Sequence, residues 1–316
     1  METYRNWIAS RQRGANHKSK DVVETYAATR LKYDVEPLPD GASSLIWIGD
    51  RERATKFVYF FHGGGYVCSM LPGHLEWCLR AYVAAAAEHP GEEVAVAALQ
   101  YTLCPPARYP TQLKQAAAGL AHILASGVRP RDLVMGGDSA GGNLTAQLVG
   151  HILHPHPQAE EVRLDEPLAG VFTVSPLVST GTNSPSFVRN ASIDMLSPAT
   201  IRKCNENLLD GISVFDTEVS DGKGWAMCMD VDTESWFRGL DAVARAVYVT
   251  VGVQEVLMDQ GVEFAEAIRR GNPGIDVRLE VMKNEAHDWI LLEGESKTDG
   301  DAMKRMRAWA TMAFWG

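Results

Sequence analysis

Two short strings far apart in a chain of 316 residues, His62-Gly63-Gly64-Gly65 and Gly137-Asp138-Ser139-Ala140-Gly141, limit what it can fold into. Each follows an apolar run, Lys56-Phe57-Val58-Tyr59-Phe60-Phe61 and Asp132-Leu133-Val134-Met135. Such runs, bounded by turn residues, read as buried strands. After the second string, Leu144, Ala146, Leu148 and Val149 fall on one side of a helix. A Ser on a sharp turn from strand into helix projects its hydroxyl upward. Glycines on both sides are required there because the flanking backbones approach closely. The pattern G-x-S-x-G therefore makes Ser139 a nucleophile for acyl transfer. It also aims the N–H of Ala140 at the position where negative charge develops in a tetrahedral intermediate. The glycines after His62 free two further N–H groups for the same oxyanion, assigned to Gly64 and Gly65. His62 precedes these donors instead of facing Ser139, so it reads as a loop brace and not as a base.

Strand-like runs recur at Ser44–Ile48, Lys56–Phe61, Val94–Leu99, Asp132–Met135, Leu168–Val174, Ala246–Val251 and Val277–Met282. Helix-period stretches lie between most of them, at Gly73–Glu88, Thr111–Ser126, Asn143–Leu153, Val256–Arg270 and Ala302–Phe314. This alternation predicts an α/β fold, a mostly parallel sheet with helices on both faces. The ligand crevice then lies at the C-terminal ends of the strands, where His62, Ser139 and the end of Ala246–Val251 all fall. From about Ser179 to Arg238 no strand is evident, while Phe187, Trp225, Trp236 and Phe237 supply aromatic bulk and the stretch near Leu208 is helix-like. The expectation is one domain over 1–316 with a small helical cap, formed by about 1–40 (including a helix Asp21–Leu31) and 179–238.

A formal net charge of −10 argues against a nucleic-acid partner. No apolar run reaches the roughly 18 residues of a membrane span. Tyr82-Val83-Ala84-Ala85-Ala86-Ala87 comes nearest, and Glu88 ends it. The polar start Met1-Glu2-Thr3-Tyr4-Arg5 has no apolar stretch behind it that would make a leader. Five scattered cysteines, without a C-x-x-C, suit a reduced cytoplasmic protein. His151, His154 and His156 have a spacing that could hold a metal, but Pro155 and Pro157 set them in a turn and no metal is expected. A homodimer stays open.

A Ser nucleophile needs a base, and the base needs a group to orient it. In this fold the order is Ser, acid, His. His287 follows the run Val277–Met282 after a short loop and is the expected base. The acid belongs on the loop Gly252-Val253-Gln254-Glu255, which makes it Glu255. Its role is to fix the imidazole tautomer and to stabilise the imidazolium. Asp259 lies about one helical turn further on and reads as a helix brace. Asp288 adjoins His287 and, on an extended loop, would point elsewhere.

These residues resemble the hormone-sensitive-lipase-like branch of the α/β-hydrolase family. The likeness runs from Phe60 to His287 and comprises His62-Gly63-Gly64-Gly65-Tyr66, Tyr101-x-Leu103-x-Pro105, Gly137-Asp138-Ser139-Ala140-Gly141, Ser175-Pro176, Gly252-x-x-Glu255-x-Leu257-x-Asp259 and His287. The wording from Ser186-Phe187 through Leu196-Ser197-Pro198 is similar to fungal members found beside biosynthetic genes. The resemblance implies a carboxylesterase with short-chain preference, a two-part cap, and no metal or organic cofactor. It makes Ser139 nucleophile, His287 base, Glu255 acid, and Gly64, Gly65 and Ala140 the oxyanion donors. There are departures. The family's Tyr-Arg-Leu-x-Pro-Glu segment reads Tyr101-Thr102-Leu103-Cys104-Pro105-Pro106, and its acidic residue on the next helix is Gln115. The ion-pair network behind the site is therefore expected to be missing.

The expected function is hydrolysis of a small-molecule ester through an acyl-enzyme, with Tyr66, Phe187, Trp225 and Trp236 as pocket candidates. Amide or formamide hydrolysis, acyl transfer to another acceptor, and ligand binding on a retired scaffold are the alternatives.

Overall fold

The computed structural model describes residues 1–14, 23, 25, 29–209 and 213–316. Eight strands form one sheet: β1 (Val35–Pro37), β2 (Ser44–Ile48), β3 (Lys56–Phe61), β4 (Val94–Gln100), β5 (Leu133–Asp138), β6 (Gly170–Val174), β7 (Ala246–Gly252) and β8 (Asp276–Met282). Their order is β1-β2-β4-β3-β5-β6-β7-β8. β1 and β2 run antiparallel to their neighbours, and every pairing from β4 to β8 is parallel. β1 was not expected. It is a three-residue edge piece ending in Pro37, too short and too polar to register as a strand.

A parallel strand buried on both faces sends alternate side chains to two separate cores. In β3, Tyr59 and Phe61 pack with Leu113, Leu120, Leu144 and Leu148 from the helices Thr111–Ala125 and Ser139–Leu153. Val58 and Phe60 face the opposite way, toward Leu75, Trp77, Met303 and Trp309. Those residues come from the helices Pro72–Trp77 and Asp301–Trp315. The expected single helix Gly73–Glu88 is instead an α-helix to Trp77, a π-helical turn Cys78–Tyr82 and a 3₁₀ stretch Val83–Glu88.

Register positions the two glycine strings. Phe61 pairs with Gly137, and Asp138 with Val174, so the β3, β5 and β6 ends lie side by side. Among the described residues of 179–238 there is no strand. Helices occur there at Pro185–Arg189, Pro198–Leu209, Ser213–Ser220 and Thr233–Trp236. The expected Asp21–Leu31 helix lies largely outside the described residues. A helix at Glu2–Gly14, not expected from the sequence, docks on Pro72–Trp77: Trp7 Nε1 and Arg11 Nε both donate to Glu76 Oε1 at 2.7 Å. No helix among the described residues is long and apolar enough to cross a membrane.

Candidate active site

Ser139 begins its helix directly after β5 with φ of 49°, a conformation that costs a non-glycine residue about 1–3 kcal/mol. The turn closes against β3. A Cβ added at Gly137 or Gly141 would stand 2.0 Å from the Phe61 carbonyl oxygen. The strain is therefore held by close backbone packing that side chains at either position would prevent.

The expected base and acid meet Ser139 in a continuous line. His287 Nε2 lies 2.9 Å from Ser139 Oγ, and His287 Nδ1 lies 2.9 Å from Glu255 Oε2. Glu255 Oε1 accepts from the backbone N–H of Gly252 at 2.8 Å. Burial raises the Glu255 carboxyl, opposed by hydrogen bonds from His287, Gly252 and Ser175. Burial alone would lower His287, but Asp288 and Glu255 together hold it well above its ordinary value.

Several residues that sequence reasoning did not assign fix this line. Asn190 Nδ2 donates to the carbonyls of Val253 (2.9 Å) and Glu255 (2.7 Å). Asp194 accepts from the backbone N–H groups of Val256 (2.7 Å) and His287 (3.2 Å). Ser186 Oγ donates to Val256 O at 2.6 Å. All three belong to 179–238, so that segment grips both the loop of Glu255 and the loop of His287. Asp259 accepts from Ser186 N at 2.7 Å, so the helix start that it braces is that of Pro185–Arg189. No local sequence signal marks these partners, because each contact joins segments tens of residues apart.

Asp288 corrects the sequence reading. The loop is not extended there: φ is 52°, and the carboxylate turns back so that Oδ2 lies 3.0 Å from His287 Nε2. The N–H of Asp288 donates to Ser175 Oγ at 3.3 Å. Burial pushes its carboxyl up to about 7.

The glycine loop is tied to the elbow by Asp138, which is fully buried. Its Oδ2 accepts from Gly63 N at 3.0 Å and faces His74 Nε2 at 3.2 Å. His74 Nδ1 accepts from Leu71 N at 3.0 Å, so the ring proton sits on Nε2 and points at Asp138. Gly64 and Gly65 follow with φ of 101° and 60°. His62 stacks on Tyr101 at 4.4 Å, and Tyr101 Oη donates to the His62 carbonyl at 2.8 Å. Burial pushes the His62 imidazole down to about 4, so it stays neutral as a brace. Behind it, Gln115 ties Thr102 to Asp40. Its Oε1 accepts from Thr102 N at 2.8 Å, and its Nε2 donates to Thr102 Oγ1 at 2.8 Å and Asp40 Oδ2 at 3.0 Å.

The four pocket candidates separate. Tyr66 is buried beside the glycine loop with its hydroxyl on Asn143 Oδ1 at 2.5 Å, bracing the loop on the helix below. Phe187 joins Leu177, Ile201, Val256 and Leu257, with Leu196 and Cys204 against them, next to the acid loop. Trp225 and Trp236 are elsewhere. A Cβ on Gly150 would stand 2.8 Å from Trp236 Nε1. At 1.5 Å per residue, that is roughly 16 Å along the helix from Ser139. Trp225 packs on Trp236 at 5.7 Å and donates to His154 O at 2.6 Å. Their bulk fills the core at the far end of the helix. The ring nitrogens of the three neighbouring histidines are taken up by protein groups: His151 by Glu160 O and His156 N, His154 by Trp236 O, and His156 by Glu218 and Gln158 N.

The chain matches a family model described as the alpha/beta hydrolase fold over residues 58–291. An esterase of Acinetobacter venetianus is 25% identical over 72% of this chain and 65% of its own length. Lipase 2 of a Moraxella species is 32% identical over 74% of this chain and 54% of its own length. The chain thus aligns with only about half to two thirds of these relatives. Among solved structures, an esterase/lipase from an uncultured bacterium superposes with a TM-score of 0.68 at 19% identity, covering 100% of both chains. An esterase of the bacterial hormone-sensitive lipase family gives 0.67 at 20% identity over 99% of each. With three quarters of its length inside one family model and that geometry around Ser139, the chain belongs to the alpha/beta hydrolase fold family.

Proposed function

We propose that this chain is a carboxylic ester hydrolase in which Ser139 is the nucleophile, His287 the base and Glu255 the acid. The observation that carries the reading is the unbroken line from Ser139 Oγ through both nitrogens of His287 to Glu255, with 2.9 Å at each contact. His287 Nε2 takes the Ser139 proton as Oγ attacks the ester carbonyl. The oxyanion is held by the N–H groups of Gly64, Gly65 and Ala140. His287 then returns the proton to the departing alcohol, and water hydrolyses the acyl-enzyme by the same route. The esterase and lipase named above support an ester as the substrate.

Of the expected cap of about 1–40 and 179–238, the second part is supported by the grip of Ser186, Asn190 and Asp194 on the loops of Glu255 and His287, whereas Val35–Pro37 belongs to the sheet. A small acyl or alcohol group would rest on Leu196 and Cys204, the partly exposed members of the apolar cluster backed by buried Phe187 and Ile201. The wording around Ser186 and Leu196 suggests a secondary metabolite as the natural substrate. The cycle draws on side chains and backbone alone.

Hydrolysis of p-nitrophenyl esters from acetate to decanoate tests the reading, with Ser139→Ala as control. Turnover favouring short chains is expected, and loss of Ser139 should lower kcat on the order of 10⁴–10⁶-fold. Turnover that survives the substitution, or none in the folded wild-type chain, rejects it.

A further inference from the structure

Two acceptors approach one nitrogen of His287. Ser139 Oγ lies 2.9 Å from Nε2 and Asp288 Oδ2 lies 3.0 Å from it. Nδ1 faces Glu255 at 2.9 Å and keeps its own proton for that carboxylate. A neutral ring with this tautomer presents a lone pair at Nε2. A lone pair 3.0 Å from an ionised carboxylate oxygen is repulsive, so the pair needs one further proton, on Nε2 or on Asp288. Either an imidazolium donates it to Asp288, or a neutral Asp288 donates it to Nε2. In both forms Nε2 is unable to receive the Ser139 proton.

We propose that Asp288 and His287 share one proton at Nε2 in the resting site, and that its loss to solvent as pH rises switches the base on. The proposal rests on the reading of Ser139 and His287 given above. After that loss Asp288 is ionised and His287 is neutral with Nε2 free. In the next step the same carboxylate stabilises the imidazolium formed by proton transfer from Ser139.

The surroundings favour a retained proton. Asp288 is 5% exposed, and its Oδ1 has no hydrogen-bond partner among the described residues. Glu255 faces the pair from the loop after β7, Asp138 from the elbow, and Asp194 through the His287 backbone. These are acidic groups, and negative charge nearby makes the shared proton harder to lose. His74 donates to Asp138 and offsets part of that charge. Cys204 stands near His287, but burial raises its thiol, so it adds none. Burial also lifts Asp288 itself to about 7.

Asp is one of the few residues besides Gly that tolerates a φ of 52°, so backbone conformation alone would also explain its presence. Asp288→Asn and Asp288→Gly both keep that conformation and remove the charge, which separates the two explanations. The measurements are kcat/KM for p-nitrophenyl acetate from pH 5 to 10 and an NMR titration of His287 in ¹⁵N-histidine-labelled protein. In both variants the acid-side limb of kcat/KM and the His287 titration should fall by about one pH unit or more. The plateau above the limb should fall by no more than about tenfold for each unit the limb moves, because the lost carboxylate also stabilises the imidazolium formed from Ser139. A limb and a titration identical in wild type and variants would overturn the proposal. So would a wild-type His287 that titrates near its ordinary value of about 6.5. Absence of Ser139-dependent turnover would instead reject the ester-hydrolase reading, while the titration would still decide on the shared proton.

Discussion

Asp194 accepts a 3.2 Å hydrogen bond from the backbone N–H of His287, which is 93 residues further along the chain. Its other oxygen accepts from Val256, the residue after Glu255, at 2.7 Å. One half-buried carboxylate thus sets the spacing between the loop that carries Glu255 and the loop that carries His287. Misplacing a base by about 1 Å can cost on the order of 10²-fold in rate. Asp194→Ala is therefore expected to lower kcat about 10- to 100-fold with little change in KM. Asp194→Asn, which keeps one acceptor, should fall between. A lowered melting temperature with kcat intact would mean that Asp194 only stabilises the fold.

Glu255 and Asp259 are both carboxylates after β7, and the geometry separates them. Glu255 touches the ring nitrogen of His287, whereas Asp259 receives Ser186 N and neighbours Arg189. Glu255→Gln should lower kcat about 10³–10⁴-fold by disturbing the tautomer of His287. Asp259→Asn retains an acceptor for Ser186 and should cost less than about threefold, within the range of a removed brace. Equal damage from the two substitutions would make the acid assignment wrong.

What was legible in the sequence is what local chemistry encodes. Lys56–Phe61 and Ala246–Val251 announce themselves as continuous apolar strands, and the glycines flanking Ser139 encode a turn that tolerates nothing larger. Asp288 was misread because neither composition nor spacing reveals a positive φ at a residue other than Gly. Trp225 and Trp236 read as pocket residues but pack in the core at the far end of the helix, because bulk predicts burial without saying where along a helix it is spent. Asn190 and Asp194 leave no pattern at all, since their partners exist only after 179–238 has folded onto the sheet.

The two glycines that join β3 to the elbow should differ in what they tolerate. A Cβ at Gly137 would meet the backbone oxygen of Phe61 at 2.0 Å, in a paired central strand with no room to retreat. A Cβ at Gly63 would meet the Asp138 side chain at 2.2 Å, and that carboxylate also holds His74. Gly137→Ala should destabilise by about 3 kcal/mol or more, at the upper end of overpacking costs. Gly63→Ala should fold, but with a lower melting temperature and reduced kcat as the oxyanion loop shifts. Gly274→Ala, where no neighbour lies within 4 Å, is the control and should unfold like wild type in urea.

Gln115 links the segment after β4 to Asp40. Its amide gives one proton to Asp40 and one to Thr102 while accepting from Thr102 N. Partial desolvation of the exposed Asp40 opposes its charge, but hydrogen bonds from Ser43, Ala42 and Gln115 hold its carboxyl below the usual range. Gln115→Glu would replace the donor facing Asp40 with a second carboxylate. The new group's folded pKa would then lie above its unfolded value of about 4.3. An acid raised in this way supports the fold below the unfolded value and loses that support as pH rises through the folded one. The variant should therefore match wild type near pH 4 and fall short by about 1 kcal/mol at pH 7, a small cost because Asp40 is exposed and screened. Urea unfolding at both pH values, with and without added salt, measures this, and salt should narrow the gap at pH 7. A variant as stable as wild type at pH 7 would mean that the amide of Gln115 points the other way round, with its oxygen already facing an Asp40 that carries the proton.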